Sequence, residues 1–308
     1  MLSFVIPAYN EEKNTEIIYS RLLSLMSDKE ENFEIIFVND GSLDNTHEKL
    51  KQISESDDKV KVINFSRNFG HQAALTAGLK FAKGEAVITM DCDLQDPPEV
   101  ITEMLQKWKE GFDVVYARRL NYRKDSLLKK LGSKIYYKIL SKFSFIDIPR
   151  NVGDFRLIDR SVLIEINNMP EQSRYLRGMV AWTGFKHAFV DYHRPDRTEG
   201  VSAYSLSKLA RLGMDGMLNF SALPLRIGFY LGLITTILGM ALLFYQLGDV
   251  LINNVYYHLY KWLIVILFIF MGFMFMLIWI VGEYIGRIYN EVRSRPIYII
   301  REKFNLDD

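Results

Sequence analysis

The stretch TMDCDLQDPPE, residues 89–99, places four carboxylates directly after an apolar run. Asp91 and Asp93 are one residue apart, and Asp96 and Glu99 follow them. Carboxylates this close repel one another and resist the loss of their water. A hard divalent cation removes both problems, because it binds carboxylate oxygens and shares its other positions with phosphate and water. Asp91 and Asp93 are therefore predicted to be ligands of Mg²⁺ or Mn²⁺.

The second half of this stretch has a local structural interpretation. Asp96 can cap a helix, Pro97 suits the first helical position, and Glu99 completes a capping box. We therefore expect Asp96 and Glu99 to start a helix. The metal interpretation rests on Asp91 and Asp93, which precede the turn.

The elements that must position these residues follow from hydrophobic periodicity. Short apolar runs alternate with helical patterns along the first half of the chain. Strands are predicted at 2–6, 34–38, 60–65, 86–90 and 114–116, and helices at 12–26, 45–54, 72–82 and 97–109. This alternation is typical of an α/β domain with a mainly parallel sheet, in which ligands bind beyond the carboxyl ends of the strands. Three polar clusters, at 7–12, 39–44 and 91–96, are predicted at that edge.

Composition limits the function classes. The 308 residues carry a formal net charge of +1, so the overall charge gives no indication of nucleic-acid binding. Cys92 is the single cysteine, which excludes an internal disulfide and fits a reducing compartment. The first residues read as a strand and not as a signal peptide.

Two apolar runs predict a membrane hairpin. Residues 227–248 and 262–282 carry no charged side chain, and each is long enough to span a hydrocarbon core of about 30 Å. Basic residues flank the outer ends of both runs, whereas the connection carries only Lys261. The positive-inside rule then places both termini in the cytoplasm. The predicted organisation is a cytoplasmic domain at 1–220, two transmembrane helices within 221–286 and a basic cytoplasmic tail at 287–308, in the inner membrane.

Six motifs occur along the chain in this order: FVIPAYNEE (4–12), VNDGSLDNT (38–46), NFSRNFGHQAALTAGL (64–79), MDCDLQDPPE (90–99), GDFRLIDR (153–160) and YLRGMVAWTGF (175–185). Together they resemble the motifs of glycosyltransferase family two. The match is closer to the branch that contains dolichol-phosphate mannose synthase and the bacterial polyprenyl-phosphate glycosyltransferases, and the resemblance implies the GT-A fold.

The resemblance implies roles for the donor site. Asp40 would accept a hydrogen bond from the nucleotide base, and Asp91 and Asp93 would hold the metal on the donor diphosphate with Gln95 beside it. Arg197 and the loop 199–206 resemble a mobile segment that closes over the diphosphate. Relatives often carry Lys where this loop has Ala203, which leaves one cation fewer. The wall around the base and ribose would consist of Pro7, Ala8, Tyr9 and Glu11.

The resemblance also implies that Asp154 lies near the transfer centre, where it and Asp93 are the predicted catalytic residues. A phosphate acceptor is mostly dianionic at pH 7, because its second pKa is about 6, and it needs no base. We therefore expect Asp154 to orient groups, for example by holding Arg156. An obligatory base is the alternative.

A basic amphipathic helix is predicted at about 125–142. Its apolar residues recur at three- and four-residue spacing and are interleaved with lysines, which is typical of a helix at a membrane surface. A lipid phosphate would be a natural partner of such a helix. Arg118 and Arg123, which precede it, are the predicted contacts of the acceptor phosphate.

The expected reaction is the inverting transfer of a sugar from a nucleotide-sugar to a polyprenyl phosphate such as undecaprenyl phosphate, at the cytoplasmic membrane face. UDP-glucose is the first expectation, and UDP-N-acetylglucosamine, UDP-galactose and GDP-mannose stay open. A processive polysaccharide synthase and a non-catalytic sugar-nucleotide sensor or scaffold are the rival classes. A homo-oligomer is left open, and no nucleic-acid partner is expected.

Overall fold

A computed structural model describes residues 1–27, 29, 31–120, 149, 151–172, 174–193, 244, 251–252 and 259–306. The strands are β1 (Leu2–Ala8), β2 (Phe33–Asn39), β3 (Val60–Phe65), β4 (Ala86–Thr89), β5 (Val114–Arg119), β6 (Val152–Asp159), β7 (His187–Tyr192) and β8 (Ile300–Phe304). The helices are α1 (Thr15–Ser27), α2 (Thr46–Ser56), α3 (His71–Phe81), α4 (Val100–Lys109), α5 (Arg160–Asn168), α6 (Leu176–Trp182) and α7 (Leu259–Arg293).

The described strands form one sheet in the order β7-β5-β6-β4-β1-β2-β3-β8. Its centre is parallel, since β1 pairs with both β2 and β4, and β2 pairs with β3. Strand β6 runs antiparallel to both of its neighbours, β4 and β5, and β8 runs antiparallel to β3. Strand β7 pairs parallel with β5 at the other edge. The α/β fold with a mainly parallel sheet is confirmed.

Apolar side chains cover both faces of the sheet and form two cores. Phe4 and Phe37 lie in one core, and Val5 and Ile63 lie in the other. Burying a side chain of this kind stabilises the fold by about 1.5–3 kcal/mol. Helix α3 lies close to the sheet because Gly78 faces Val5. A Cβ atom at Gly78 would stand 2.2 Å from Val5 Cγ1.

The strands and helices predicted in the first 116 residues are all present, with ends that shift by a few residues. The sequence patterns did not predict β6, β7 or β8. Strand β8 falls within 287–308, the stretch expected to be a basic tail, and it pairs with β3 instead. Nearby, Asn305 Nδ2 donates to the carbonyls of Ser54 and Val60, which holds this segment on the sheet.

Helix α7 spans 35 residues and includes the predicted second span at 262–282. The structure describes only part of its side chains. In the part of the chain that the structure describes, no helix is long and apolar enough to cross a membrane. The membrane hairpin therefore stays a prediction, and its first span and the amphipathic helix at 125–142 lie outside the described residues.

Candidate active site

The three polar clusters lie together at the carboxyl edge of the sheet. Strands β4, β1 and β2 are neighbours and run parallel, so the residues that follow them emerge side by side. The Asp40 amide donates to the Ala8 carbonyl at 2.9 Å, and the Met90 amide donates to the Val5 carbonyl at 3.1 Å. The expected meeting of these loops at one edge is confirmed.

The predicted nucleotide wall begins at the end of β1. Pro7 and Ala8 are the last two residues of that strand, and Tyr9 follows them with 42% of its surface exposed. The Glu11 amide donates to Thr46 Oγ1 at 2.9 Å, which ties this loop to the start of α2. The arrangement leaves an exposed aromatic ring beside a fixed turn, and the nucleotide role of these residues stays a prediction.

Asp40 is buried and holds the loop that precedes α3. Its carboxylate oxygens accept from the amides of Phe69 at 2.7 Å and Gly70 at 2.9 Å. Burial raises the pKa of Asp40, and these two amides oppose the shift. Gly41 has φ +64, and a Cβ atom there would stand 2.4 Å from the Arg67 carbonyl carbon, so glycine is required. Asp40 therefore has a structural role in addition to its predicted contact with the base.

Asp154 is the centre of a buried ion cluster. Because β6 runs antiparallel to β4, the first part of β6 lies at the same edge as the end of β4. Arg156 Nη2 donates to Asp154 Oδ1 at 2.5 Å. Arg177, from α6, donates through Nε to Oδ1 at 3.2 Å and through Nη2 to Oδ2 at 2.8 Å. The expectation that Asp154 holds Arg156 agrees with this geometry. Arg177 lies in the motif at 175–185, but the sequence did not indicate that it pairs with Asp154.

His71 connects Asp154 to the acidic stretch. It is the first residue of α3, and its Nε2 lies 3.5 Å from Asp154 Oδ2 and 3.5 Å from Asp91 Oδ1. Burial alone would lower the pKa of His71, but Asp154 and Asp91 raise it to about 9. His71 is therefore an imidazolium at neutral pH. The sequence offered only its position at a helix start beside Gly70.

The cations around Asp154 also fix its protonation state. Burial alone would raise the pKa of Asp154, but Arg177, His71 and Arg156 together hold it well below its usual range. A general base works best when its pKa lies near the operating pH. Asp154 is thus a poor base at neutral pH and a good anchor for cationic groups.

We call residues 91–95 the acidic loop, and its oxygens fit a cation. Asp91 Oδ1 and Gln95 Oε1 are buried and have no hydrogen-bond partner in the described part of the chain. Buried oxygens that accept no hydrogen bond are rare. Asp91 Oδ1 has the ion pair with His71 at 3.5 Å, and a bound ion would give both oxygens a closer contact. Within the same part, no group of three or more His, Cys, Asp or Glu residues is arranged to hold a metal. The loop therefore suits a hard cation that takes its other ligands from a diphosphate and water.

Asp96 does not cap a helix, which corrects the sequence interpretation. Helix α4 starts at Val100, and Glu99, at the N-cap position, makes no side-chain cap bond. The carboxylate of Glu99 instead accepts from Arg21 Nη2 at 2.8 Å. Asp96 is completely buried and accepts from the Asp91 amide at 3.2 Å. Tertiary contacts determine the role of both carboxylates.

The predicted acceptor residues divide between the described and the undescribed parts of the chain. Arg118 lies on β5 and donates to both oxygens of Asp191, at 2.6 and 2.9 Å. This pair is exposed, and such pairs contribute only about 0–1 kcal/mol. The contact of Arg118 with the acceptor phosphate stays a prediction. Arg123, Arg197 and the loop 199–206 lie outside the described residues.

The fold and the edge carboxylates define the class. A mainly parallel α/β sheet with acidic loops at its carboxyl edge is a GT-A-like arrangement for binding a sugar-nucleotide. The sequence matches the model of the family described as "Glycosyl transferase family 2" over residues 3–166. The chain belongs to glycosyltransferase family 2, and it is a glycosyltransferase.

Curated relatives match almost the whole chain. It is 43% identical over 306 residues to a Bacillus subtilis protein named "Uncharacterized glycosyltransferase YkcC", which covers 99% of this chain and 95% of the relative. It is 38% identical over 301 residues to the "SfII prophage-derived bactoprenol glucosyl transferase" of Shigella flexneri, with 98% and 97% covered. The relatives therefore resemble the C-terminal half as well as the matched domain.

A solved structure with a similar fold is glucosyl-3-phosphoglycerate synthase from Mycobacterium tuberculosis in complex with Mn²⁺, uridine-diphosphate and glucosyl-3-phosphoglycerate. The TM-score is 0.46 at 18% identity, and the match covers 70% of this chain and 76% of that chain.

Proposed function

We propose that the protein transfers a sugar, with inversion, from a nucleotide-sugar to a polyprenyl phosphate at the cytoplasmic face of the membrane. UDP-glucose is the proposed donor. The observation that carries the proposal is the state of Asp154, a carboxylate held by two arginines and an imidazolium beside the acidic loop. The bactoprenol glucosyl transferases among the relatives support the choice of acceptor and of glucose.

The state of Asp154 favours a phosphate over a hydroxyl acceptor. A sugar hydroxyl keeps its proton far above neutral pH and needs a base to remove it. A phosphate monoester has its second pKa at about 6 and already carries the attacking charge at pH 7. The lowered pKa keeps Asp154 ionised, so it can hold cationic side chains in place. A phosphate acceptor does not require Asp154 to remove a proton.

The transfer then needs no proton at the attacking atom. An oxygen of the acceptor phosphate bonds to the anomeric carbon, and the bond from that carbon to the donor diphosphate breaks. The electron pair of the broken bond goes to the nucleoside diphosphate, which leaves. Arg177 and His71, fixed by Asp154, are the cations that stabilise phosphate charge during this step.

The donor diphosphate is proposed to bind at the acidic loop. Asp91, Asp93 and Gln95 would hold Mg²⁺ or Mn²⁺ there, which supplies positive charge to the leaving diphosphate. The two buried oxygens that accept no hydrogen bond, on Asp91 and Gln95, support this assignment. Pro7, Ala8, Tyr9 and Glu11 are proposed to surround the nucleoside, with Asp40 at the base and Arg197 closing over the diphosphate.

The C-terminal segment is proposed to hold the catalytic sheet close to the membrane. If 262–282 spans the bilayer, the chain continues as helix for nine residues to Glu291, about 13 Å at a rise of about 1.5 Å per residue. The Gln172 amide donates to the Glu291 carboxylate at 2.9 and 3.1 Å. Strand β8 then joins the sheet itself. These contacts would keep the site near a lipid-borne acceptor and raise its effective concentration.

A donor panel tests the proposal. Purified protein in undecaprenyl phosphate vesicles is given UDP-glucose, UDP-galactose, UDP-N-acetylglucosamine or GDP-mannose with Mg²⁺ or Mn²⁺, and the organic phase is analysed by mass spectrometry. We expect a glucosyl phospholipid from UDP-glucose. A different sugar in the product would correct the donor, and release of free sugar with no lipid product would refute the acceptor.

A further inference from the structure

A second polar cluster lies behind the acidic loop, on the face of the sheet opposite to Asp154. Asp96, Arg119 and Tyr192 come from three separate parts of the chain and meet on the side of the sheet where Phe4 and Phe37 form one of the two cores. Tyr192 Oη donates to Asp96 Oδ1 at 3.0 Å, and Arg119 Nε donates to Tyr192 Oη at 2.9 Å. Arg119 Nη2 lies 3.9 Å from the same carboxylate oxygen. We call these three residues the rear cluster.

The rear cluster holds the backbone of the acidic loop. The other oxygen of Asp96, Oδ2, accepts from the Asp91 amide at 3.2 Å. Asp96 is 0% exposed and Tyr192 is 4% exposed, so water does not compete for these bonds. The Tyr192 hydroxyl is therefore linked, through the Asp96 carboxylate, to the backbone amide of Asp91, which is a proposed metal ligand.

Two backbone features agree with a supporting role for the rear cluster. Leu94 has φ 60, a left-handed conformation that is strained for a leucine. Strained residues persist where the surrounding structure holds them in place. At Gly153, directly before Asp154, a Cβ atom would stand 2.7 Å from Arg119 Nη2. Because Gly153 has no side chain, the guanidinium of Arg119 has room beside β6 to reach Tyr192 and Asp96.

We propose that Asp96, Arg119 and Tyr192 are positioning residues that hold the acidic loop in its metal-binding geometry. The inference rests on the proposed metal site at Asp91, Asp93 and Gln95, and it goes further by assigning a function to residues that touch neither donor nor acceptor. Residues behind metal ligands commonly set the affinity, and their replacement typically costs about 10- to 100-fold in metal binding.

The test is the affinity for Mn²⁺, measured by electron paramagnetic resonance on the full-length protein with UDP present. Tyr192→Phe removes only the hydroxyl, and we expect it to raise the Kd for Mn²⁺ by about ten-fold or more. In a transfer assay the same variant should need more Mn²⁺ for half-maximal rate and approach the wild-type rate at saturation. Arg119→Lys, which loses the Nε donor but keeps the charge, should shift the Kd in the same direction.

Tyr19→Phe is the matched control. Tyr19 Oη donates to Asp57 Oδ2 at 3.0 Å, so this variant loses the same kind of bond far from the acidic loop. We expect its Kd for Mn²⁺ to equal that of the wild type. Equal Mn²⁺ affinity in Tyr192→Phe and the wild type would overturn the inference, but it would not affect the proposal that Asp91, Asp93 and Gln95 bind the metal. If the wild type itself binds no Mn²⁺ with UDP, the proposed metal site and the inference are both wrong.

Discussion

Replacement of Asp154 by Asn separates an orienting carboxylate from a base. The amide group of Asn offers one oxygen and no charge, so it cannot accept from Arg156 and from both nitrogens of Arg177 as the carboxylate does. Removing one partner of a buried ion pair costs about 3–5 kcal/mol. If that loss is felt in the transition state, turnover falls about 100- to 5,000-fold, at about 1.4 kcal/mol per factor of ten.

The pH dependence of the loss identifies the role. Transfer by the wild type and by Asp154→Asn is measured from about pH 5.5 to about pH 8.5, with lipid and donor saturating. The upper limit stays below the pKa of about 9 that His71 has in the wild type. Because Asp154 itself raises that pKa, His71 of the variant loses its charge at a lower pH. If Asp154 orients groups, the loss therefore stays the same or grows as the pH rises. If Asp154 is an obligatory base, the variant regains much of its rate once the acceptor phosphate has lost its own proton.

The pH dependence of stability must be separated from that of catalysis in this comparison. Because the folded-state pKa of Asp154 is held below its ordinary value of 3.8, the stabilisation from its ion pairs is present above that value and is lost only as the pH falls below it. Titration of the Asp154 carboxylate therefore adds no pH dependence over the range tested. The stabilisation from charged His71, which depends on Asp154, declines in the wild type as the pH rises above about 6.5. Nucleotide affinity and thermal unfolding at both ends of the range check that the variant is folded. Recovery toward the wild-type rate at high pH would refute the orienting role.

The remaining predictions concern the metal, the acceptor and the membrane. A chelator should abolish transfer and Mg²⁺ or Mn²⁺ restore it, and Asp93→Asn should lose most activity while staying folded; full activity in that variant would exclude Asp93 as a ligand. Arg118→Ala and Arg123→Ala should each weaken use of the lipid phosphate about ten-fold or more and leave UDP binding nearly unchanged, and an equal loss of UDP affinity would move them to the donor site. A reporter fused after Asp308 should report cytoplasm and one inserted near Asn253 the outside, and the reverse pattern would contradict the topology.

Local sequence patterns were sufficient for the first half of the fold. Strands β1 to β5 are short, mainly apolar runs separated by helical patterns, and both patterns are properties of neighbouring residues. The three edge loops followed from strand direction alone. Strands β6, β7 and β8 depend on partners far along the chain, such as β8 on β3, and a local pattern contains no information about such a partner.

The candidate site divides in the same way. Asp91 and Asp93 are marked by their spacing and by their position after a strand. The roles of Asp96 and His71 depend on distant residues: Tyr192, which contacts Asp96, is 96 positions away, and Arg177, which shares Asp154 with His71, comes from α6. The local interpretation of Asp96 as a helix cap was wrong, because its carboxylate accepts hydrogen bonds from the Asp91 amide and the Tyr192 hydroxyl instead. Such bonds are visible only once the sheet is assembled.

The most direct test of the account compares two acceptors that differ only in the phosphate. Purified protein in vesicles receives UDP-glucose labelled in the sugar, together with either undecaprenyl phosphate or undecaprenol, and the label in the organic phase is counted. Undecaprenyl phosphate should become labelled and undecaprenol should not, because Asp154, whose pKa is held well below its usual range, is a poor base for a hydroxyl but can orient cations around a phosphate dianion. Equal labelling of undecaprenol, or label that enters only a water-soluble polymer, would contradict the proposed reaction.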